Sequence, residues 1–370
     1  GLLAFANATI AYFQIITDYG FDLTATREVS IHRDDREKVV EIFSSVMIIK
    51  SVLMFVSFVL LALLVFTFDK FRNNASIYFL TFGSVIGQVL FPVWFFQGME
   101  RMKYITYLNI VSKLIFTLAV FVFVKGQNDY YLVPVFTSSG FLISGILSIF
   151  FIAKEFNTGF EFQNIKTIKY YLRDGWAVFM SRIFVSLYTT INIFILGLFT
   201  NNVVVGRYAV AEKIINAVGG LFSPANQAIY PYIAKMYLKQ KEKFFGFVKR
   251  IGFSFLTVGI ILFLLCTLFS ESIVFLVTGR MDNNLLSIYY VLMFTLITFP
   301  FGPLFTQVLI VQKRNRDFNA IVRNTFLFNI VLSPIFIFFF EGIGLAVAVV
   351  LTQVLVVFSC ANVIKGGWSK

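Results

Sequence analysis

The sequence predicts an all-α polytopic membrane protein. Two parallel-repeat six-helix bundles surround a central cavity, the first helix of the first bundle is absent from this chain, and about eleven spans are present. Three observations carry the prediction. The 370 residues are 58% hydrophobic and 14% charged, with 49 Phe, and their mean hydropathy is +0.83, which is more apolar surface than a water-soluble core can hide. The apolar residues fall in continuous runs of about 20, the length that crosses a bilayer as a helix. Lys and Arg gather in alternate connections between those runs.

In chain order the runs are Leu2–Thr17, Ile42–Phe68, Ile77–Phe96, Tyr104–Val124 and Tyr131–Ala153, then Trp176–Phe199, Val203–Ile233, Ile251–Phe269, Leu285–Val311, Phe318–Phe340 and Ile343–Ile364. A membrane β-barrel would show weak alternation in segments about half as long, so the runs read as helices. The basic connections hold Arg27, Arg33, Arg36 and Lys38, then Arg101 and Lys103, Lys154 to Arg173, Lys235 to Arg250, and Lys313 to Arg323. The intervening loops hold only Lys70, Arg72, Lys125 and Arg280, with acids close by. This positive-inside pattern puts Gly1 outside and Lys370 in the cytoplasm. The same placement explains the net charge of +12 without nucleic acid. The basic, aromatic stretch from Lys235 to Arg250 reads as an interfacial helix on anionic lipid. Cys266 and Cys360 lie in apolar runs with no ligand-spaced partner, so no disulfide, metal site or cofactor is expected.

Sliding the chain on itself by about 205 positions lays Gly1 to Ala6 over Gly206 to Ala211, and Arg36-Glu37-Lys38 over Lys241-Glu242-Lys243. At a slightly larger offset Gln97 to Arg101 lies over Gln312 to Arg316. Matching segments share an orientation, so the repeats are parallel. The run from Trp176 has no counterpart before Gly1, which is why one helix is expected to be missing. The expected organisation is an N-terminal bundle over 1–153, a cytoplasmic connection over 154–173 and a C-terminal bundle over 174–370.

An ionisable group deep in a span costs a few kcal/mol and usually faces protein or a water-filled path. The embedded set is mostly cationic: Arg182, about 12 Å along its helix from Asp174, with Lys213, Lys50, Lys113 and Arg207. These are the candidate substrate-binding residues, and they favour an anion. Arg182 stands first, because its planar, permanently charged fork suits phosphate. Lys50 and Lys113 have long stems that can instead snorkel, or pair with Asn109 or a carbonyl. Asp18, Arg27, Glu28 and Glu212 are candidates for coupling or gating. Of the acids, Asp18, Asp22, Glu28, Asp174 and Glu341 lie towards helix ends, and Glu212 neighbours Lys213 without facing the same way. Gly219-Gly220, Ser223-Pro224, Pro92 and Pro300 to Pro303 interrupt spans, either as bends for alternating access or as packing kinks.

A membrane-embedded polymerase or glycosyltransferase is the enzyme alternative. It would want a sizeable external loop and paired carboxylates, and neither these nor an HExxH, GxSxG or P-loop pattern is found. His32, the one histidine, lies in a charged loop. No catalytic residue is assigned.

The segments Gly1 to Asn7, Asp18-Tyr19-Gly20-Phe21, Thr26-Arg27-Glu28, Trp94 to Met102 and Val205-Gly206-Arg207-Tyr208 give the chain, over essentially its whole length, a resemblance to the O-antigen flippases. These form part of the polysaccharide-export branch of the multidrug/oligosaccharidyl-lipid/polysaccharide exporter superfamily. The resemblance implies a twelve-helix exporter of the bacterial inner membrane. It implies a substrate of undecaprenyl-pyrophosphate-linked oligosaccharide, a cationic cavity and secondary transport coupled to an ion gradient. The partners it implies are the lipid-linked oligosaccharide, membrane lipid, an O-antigen polymerase and a chain-length regulator. A drug exporter of the same superfamily is the rival reading. It would extrude cations and want a buried acid, for which Asp18 is expected to lie too near the cytoplasm.

Overall fold

A computed structural model describes residues 1–239, 241–312 and 314–366, and all regular structure among them is helical. In order the helices are α1 (Leu2–Asp18), α2 (Phe21–His32), α3 (Arg36–Thr67), α4 (Asp69–Arg72), α5 (Ala75–Leu90), α6 (Val93–Gly98), α7 (Met102–Phe123), α8 (Leu132–Glu155), α9 (Ile165–Phe199), α10 (Asn202–Gly219), α11 (Phe222–Lys239), α12 (Lys241–Leu268), α13 (Ser270–Thr278), α14 (Asn283–Met293), α15 (Thr295–Thr298), α16 (Phe301–Val311) and α17 (Asn315–Gly366). Every predicted run is helical. Among the described residues, seven helices are long and apolar enough to cross a membrane by length and composition alone. The last of these holds the final two runs, separated at Glu341 by a residue with φ 48°. The chain divides into one unit of residues 6–186 and another of residues 1–5 with 187–370.

In the unit of residues 6–186, α1 ends at Asp18 because Tyr19 (φ 48°) and Gly20 (φ 76°) take left-handed conformations. Gly20 is required there twice over: a Cβ would strain the backbone and would meet Val178 Cγ1 at 2.6 Å. The chain then resumes as α2, so the first predicted span is a helix broken before its basic end. The third span breaks likewise, since Pro92 cannot donate a backbone hydrogen bond and α5 gives way to α6. The two second halves pack together: Thr26 donates to the Trp94 carbonyl at 3.2 Å. Small residues let α5 and α8 approach closely, and a Cβ on Gly87 would lie 2.5 Å from the Phe141 backbone. Ser138 and Ser148 of α8 donate to the Leu80 and Leu90 carbonyls of α5, at 2.6 and 2.8 Å.

The unit that contains 187–370 repeats this element order. Asn201 caps α10, its side chain accepting from the Val203 and Val204 amides. The helix stops at Gly219-Gly220, the predicted break, and α11 follows; Asp282 caps α14 in the same way. Many apolar side chains point away from both cores, among them Phe121 at 75% and Phe338 at 77% exposed. That is the pattern of helices solvated by lipid.

Candidate functional site

The end of α1 carries the first buried charge network. Lys50 Nζ donates to Asp18 Oδ1 at 3.0 Å, and Gln88 Nε2 donates to Asp18 Oδ2 at 2.6 Å. The Lys50 side chain is 3% exposed and that of Asp18 is 41% exposed. Lys50 therefore takes neither Asn109 nor a carbonyl but a carboxylate from another helix. Asp18 closes α1, a helix end as expected. Its partner lies 14 residues into the 32-residue α3, about 21 Å along it, because α2 and not α1 completes the path to the basic loop. One turn back, Gln14 donates to Ser84 Oγ at 3.3 Å, so Gln14 and Asp18 on α1 face Ser84 and Gln88 on α5, each pair spaced i, i+4.

Within the other unit, a polar cavity of about 280 Å³ opens along α10. Tyr208, Glu212 and Asn216 form one stripe of it, joined by Asn192, Thr295, Asn329, Thr352 and Gln353. Asn329 Nδ2 donates to Thr352 Oγ1 at 3.2 Å and Thr298 Oγ1 donates to Gln353 Oε1 at 2.7 Å. The Tyr208 hydroxyl and the side-chain oxygens of Asn192 and Asn329 are buried with no hydrogen-bond partner among the described residues. A pocket of oxygen acceptors around a carboxylate can exchange a proton or hold a small cation. No cluster of three or more His, Cys, Asp or Glu side chains is found among the described residues.

Lys213 turns away from Glu212, as its neighbouring position on a helix requires. It is exposed beside an apolar recess of about 360 Å³ lined by Val210, Ile214, Ala217, Val218 and Val277. Arg207 Nε donates to Asp282 Oδ2 at 2.8 Å, joining α10 to the cap of α14. Burial pushes the Asp282 carboxyl up. The hydrogen bond from Arg207, the amides of Leu285 and Asn284, and the Arg207 charge together outweigh it and hold the group below its ordinary value. Lys113 is exposed on α7. Arg27 bridges Glu28, at 3.0 Å, and both oxygens of Asp174, at 3.0 and 3.1 Å, which ties α2 to α9. The Arg182 side chain lies outside the described residues. The structure thus brings Asp18 to Lys50 and Arg27 to Glu28, and leaves Glu212 and Lys213 on separate surfaces of α10.

Buried uncharged partners escape a search for charges. Gln14, Gln88, Asn192, Asn329, Thr352 and Gln353 belong to these networks; the part with a signal in the sequence is the α10 stripe, where Tyr208, Glu212 and Asn216 recur at i, i+4, i+8.

Helices broken inside their spans, with polar groups at and beside the breaks, are a transporter arrangement. The fold is shared with solved transporter structures. The inward-facing conformation of a multidrug resistance MATE family transporter of the MOP superfamily matches with a TM-score of 0.77, at 13% identity, over 99% of this chain and 90% of that one. The lipid II flippase MurJ, in an inward closed conformation, matches with a TM-score of 0.77, at 16% identity, over 98% of this chain and 81% of that one. The family of polysaccharide biosynthesis proteins matches residues 1–237, and the chain belongs to it. An Escherichia coli (strain K12) protein named "Putative O-antigen transporter" is 27% identical over 357 residues, 96% of this chain and 86% of that protein. The resemblance read from the sequence is borne out by this kinship.

Proposed function

We propose that the chain is a secondary transporter of the bacterial inner membrane, with its C-terminus in the cytoplasm. It flips an undecaprenyl-pyrophosphate-linked O-antigen oligosaccharide from the cytoplasmic to the periplasmic leaflet by alternating access. The observation that carries this reading is the likeness, along 96% of the chain, to the protein named as an O-antigen transporter. The fold shared with a lipid II flippase supports it. No bond is made or broken in the step.

Arg182 holds the pyrophosphate, while the lipid tail stays in the bilayer. Glu212 exchanges the coupling cation with its polar cavity. The chain breaks at Tyr19-Gly20 and Gly219-Gly220 give the helices places to bend. An O-antigen polymerase and a chain-length regulator receive the product.

Complementation is the test. A strain deleted for its own O-antigen flippase and given this chain regains surface polysaccharide if the reading is right. If the chain instead confers resistance to cationic drugs without restoring polysaccharide, the multidrug alternative replaces it.

A further inference from the structure

We infer that the connection between α8 and α9, together with the first turns of α9, lies in the headgroup layer of the cytoplasmic leaflet and binds anionic phospholipid. The sequence here is Thr158-Gly159-Phe160-Glu161-Phe162, a non-helical stretch whose two aromatic rings lie against each other. Its backbone is fastened to α3. The Asn157 carbonyl accepts from Arg36 Nε at 3.1 Å and Nη2 at 2.8 Å, and the Glu161 amide donates to Ser44 Oγ at 3.0 Å. Thr158 is buried beneath it.

A strap held this firmly by its backbone nevertheless turns its largest apolar groups outward. Phe160 is 53% and Phe162 92% exposed, and their rings meet edge to face at 5.4 Å. The surface continues onto α9, where Ile165, Tyr170 and Trp176 are exposed while Tyr171, Gly175 and Phe179 of the opposite face pack inward.

Cations are threaded through this apolar surface. Lys166, Lys169 and Arg173 are exposed on α9 beside the aromatic groups, and Lys154 is exposed at the end of α8. Glu155, Glu161 and Asp174 oppose them, but Glu155 already accepts from the Tyr104 hydroxyl and Asp174 is paired with Arg27. In water the aromatic groups would be wasted, and in hydrocarbon the cations would be costly. The depth that satisfies both is the interface, where Trp and Tyr collect and where each Lys or Arg is drawn to anionic lipid. The charge balance of the surface selects an anionic partner over a zwitterionic one.

The test uses the full chain with Cys266 and Cys360 replaced by Ala and a nitroxide attached through Phe162→Cys. It is reconstituted in phosphatidylcholine alone or in phosphatidylcholine mixed with phosphatidylglycerol. Collisions with oxygen and with a water-soluble nickel chelate report the depth of the label. The expected result is an interfacial depth in the mixed bilayer and a shift towards the chelate in phosphatidylcholine alone. Replacing Lys154, Lys166, Lys169 and Arg173 by Gln should abolish that lipid dependence. Equal depth in the two bilayers for the chain with its cations intact overturns the inference, whatever the fate of the Gln variant, and so does chelate access typical of bulk water. Neither outcome depends on what the chain transports.

Discussion

The pairing of Asp18 with Lys50 predicts an asymmetry between two mutations that remove the same ion pair. At 3.0 Å and an effective dielectric constant of about 20, the attraction between the charges is about 5 kcal/mol, and desolvation of the ammonium offsets part of it. The partners are unequally placed, since the Lys50 side chain is 3% and the Asp18 side chain 41% exposed. Asp18→Leu strands a sealed ammonium, and the expected loss is about 3 to 5 kcal/mol. Lys50→Met leaves a carboxylate that still meets solvent and still accepts from Gln88 at 2.6 Å, so the expected loss is about 1 to 2 kcal/mol. Combining the two should recover most of the Asp18→Leu deficit, leaving the double variant within about 1 kcal/mol of the parent because only the Gln88 amide loses its partner. Equilibrium unfolding in mixed micelles measures all four proteins. A Lys50→Met loss as large as that of Asp18→Leu, or a double variant as unstable as the sum of the singles, would refute the buried-pair argument.

Two left-handed glycines offer a matched comparison. Gly20→Ala carries both a backbone cost of about 1 to 2 kcal/mol and a Cβ placed 2.6 Å from Val178 Cγ1, whereas Gly279→Ala, with φ 68° and nothing within 4 Å, carries only the backbone cost. Thermal denaturation in detergent should rank Gly20→Ala clearly below Gly279→Ala, and equal midpoints would contradict the close packing of α9 at Gly20. At Asp282 the folded-state pKa is depressed, so its contribution to stability is complete above the unfolded value near 3.8 and is lost as pH falls through the lower folded value. An acid titration of unfolding should therefore be shallower for Asp282→Asn, and an unchanged slope would show that Arg207 does not hold the carboxylate. For the transport reading, Arg182→Ala should abolish surface polysaccharide in cells that still insert the protein, while Arg182→Lys keeps part of it because charge survives without the bidentate fork; normal polysaccharide from Arg182→Ala would make the residue structural.

Much of the fold was legible because lipid imposes a simple rule on sequence. Continuous apolar runs became helices, Gly219-Gly220 and Pro92 broke them where expected, and the division between Phe340 and Ile343 appeared as the turn at Glu341. Hydropathy is blind to a break that leaves composition unchanged. The turn at Tyr19-Gly20 lies within one broken span, so Asp18 closes α1 and yet pairs with a residue in the middle of α3. The partnership itself joins residues 32 positions apart on different helices, a distance no periodicity encodes. Glu212 was picked out as a charge, but its cavity depends on Asn192, Asn329 and Thr352 from other helices, and uncharged polar groups are inexpensive enough in a span to pass unnoticed singly. The Tyr208, Glu212, Asn216 stripe, by contrast, was written along a single helix.

Translocation by the purified chain tests the account most directly. Reconstituted in liposomes with a fluorescent pyrophosphate-linked oligosaccharide in the outer leaflet, it should move the label out of reach of a membrane-impermeant quencher when a cation gradient is imposed. Glu212→Gln should remove the gradient dependence, and Arg182→Ala should remove the movement itself. A parent protein that leaves the lipid-linked sugar in place under every gradient, while driving a cationic dye across the same membrane, would contradict the account.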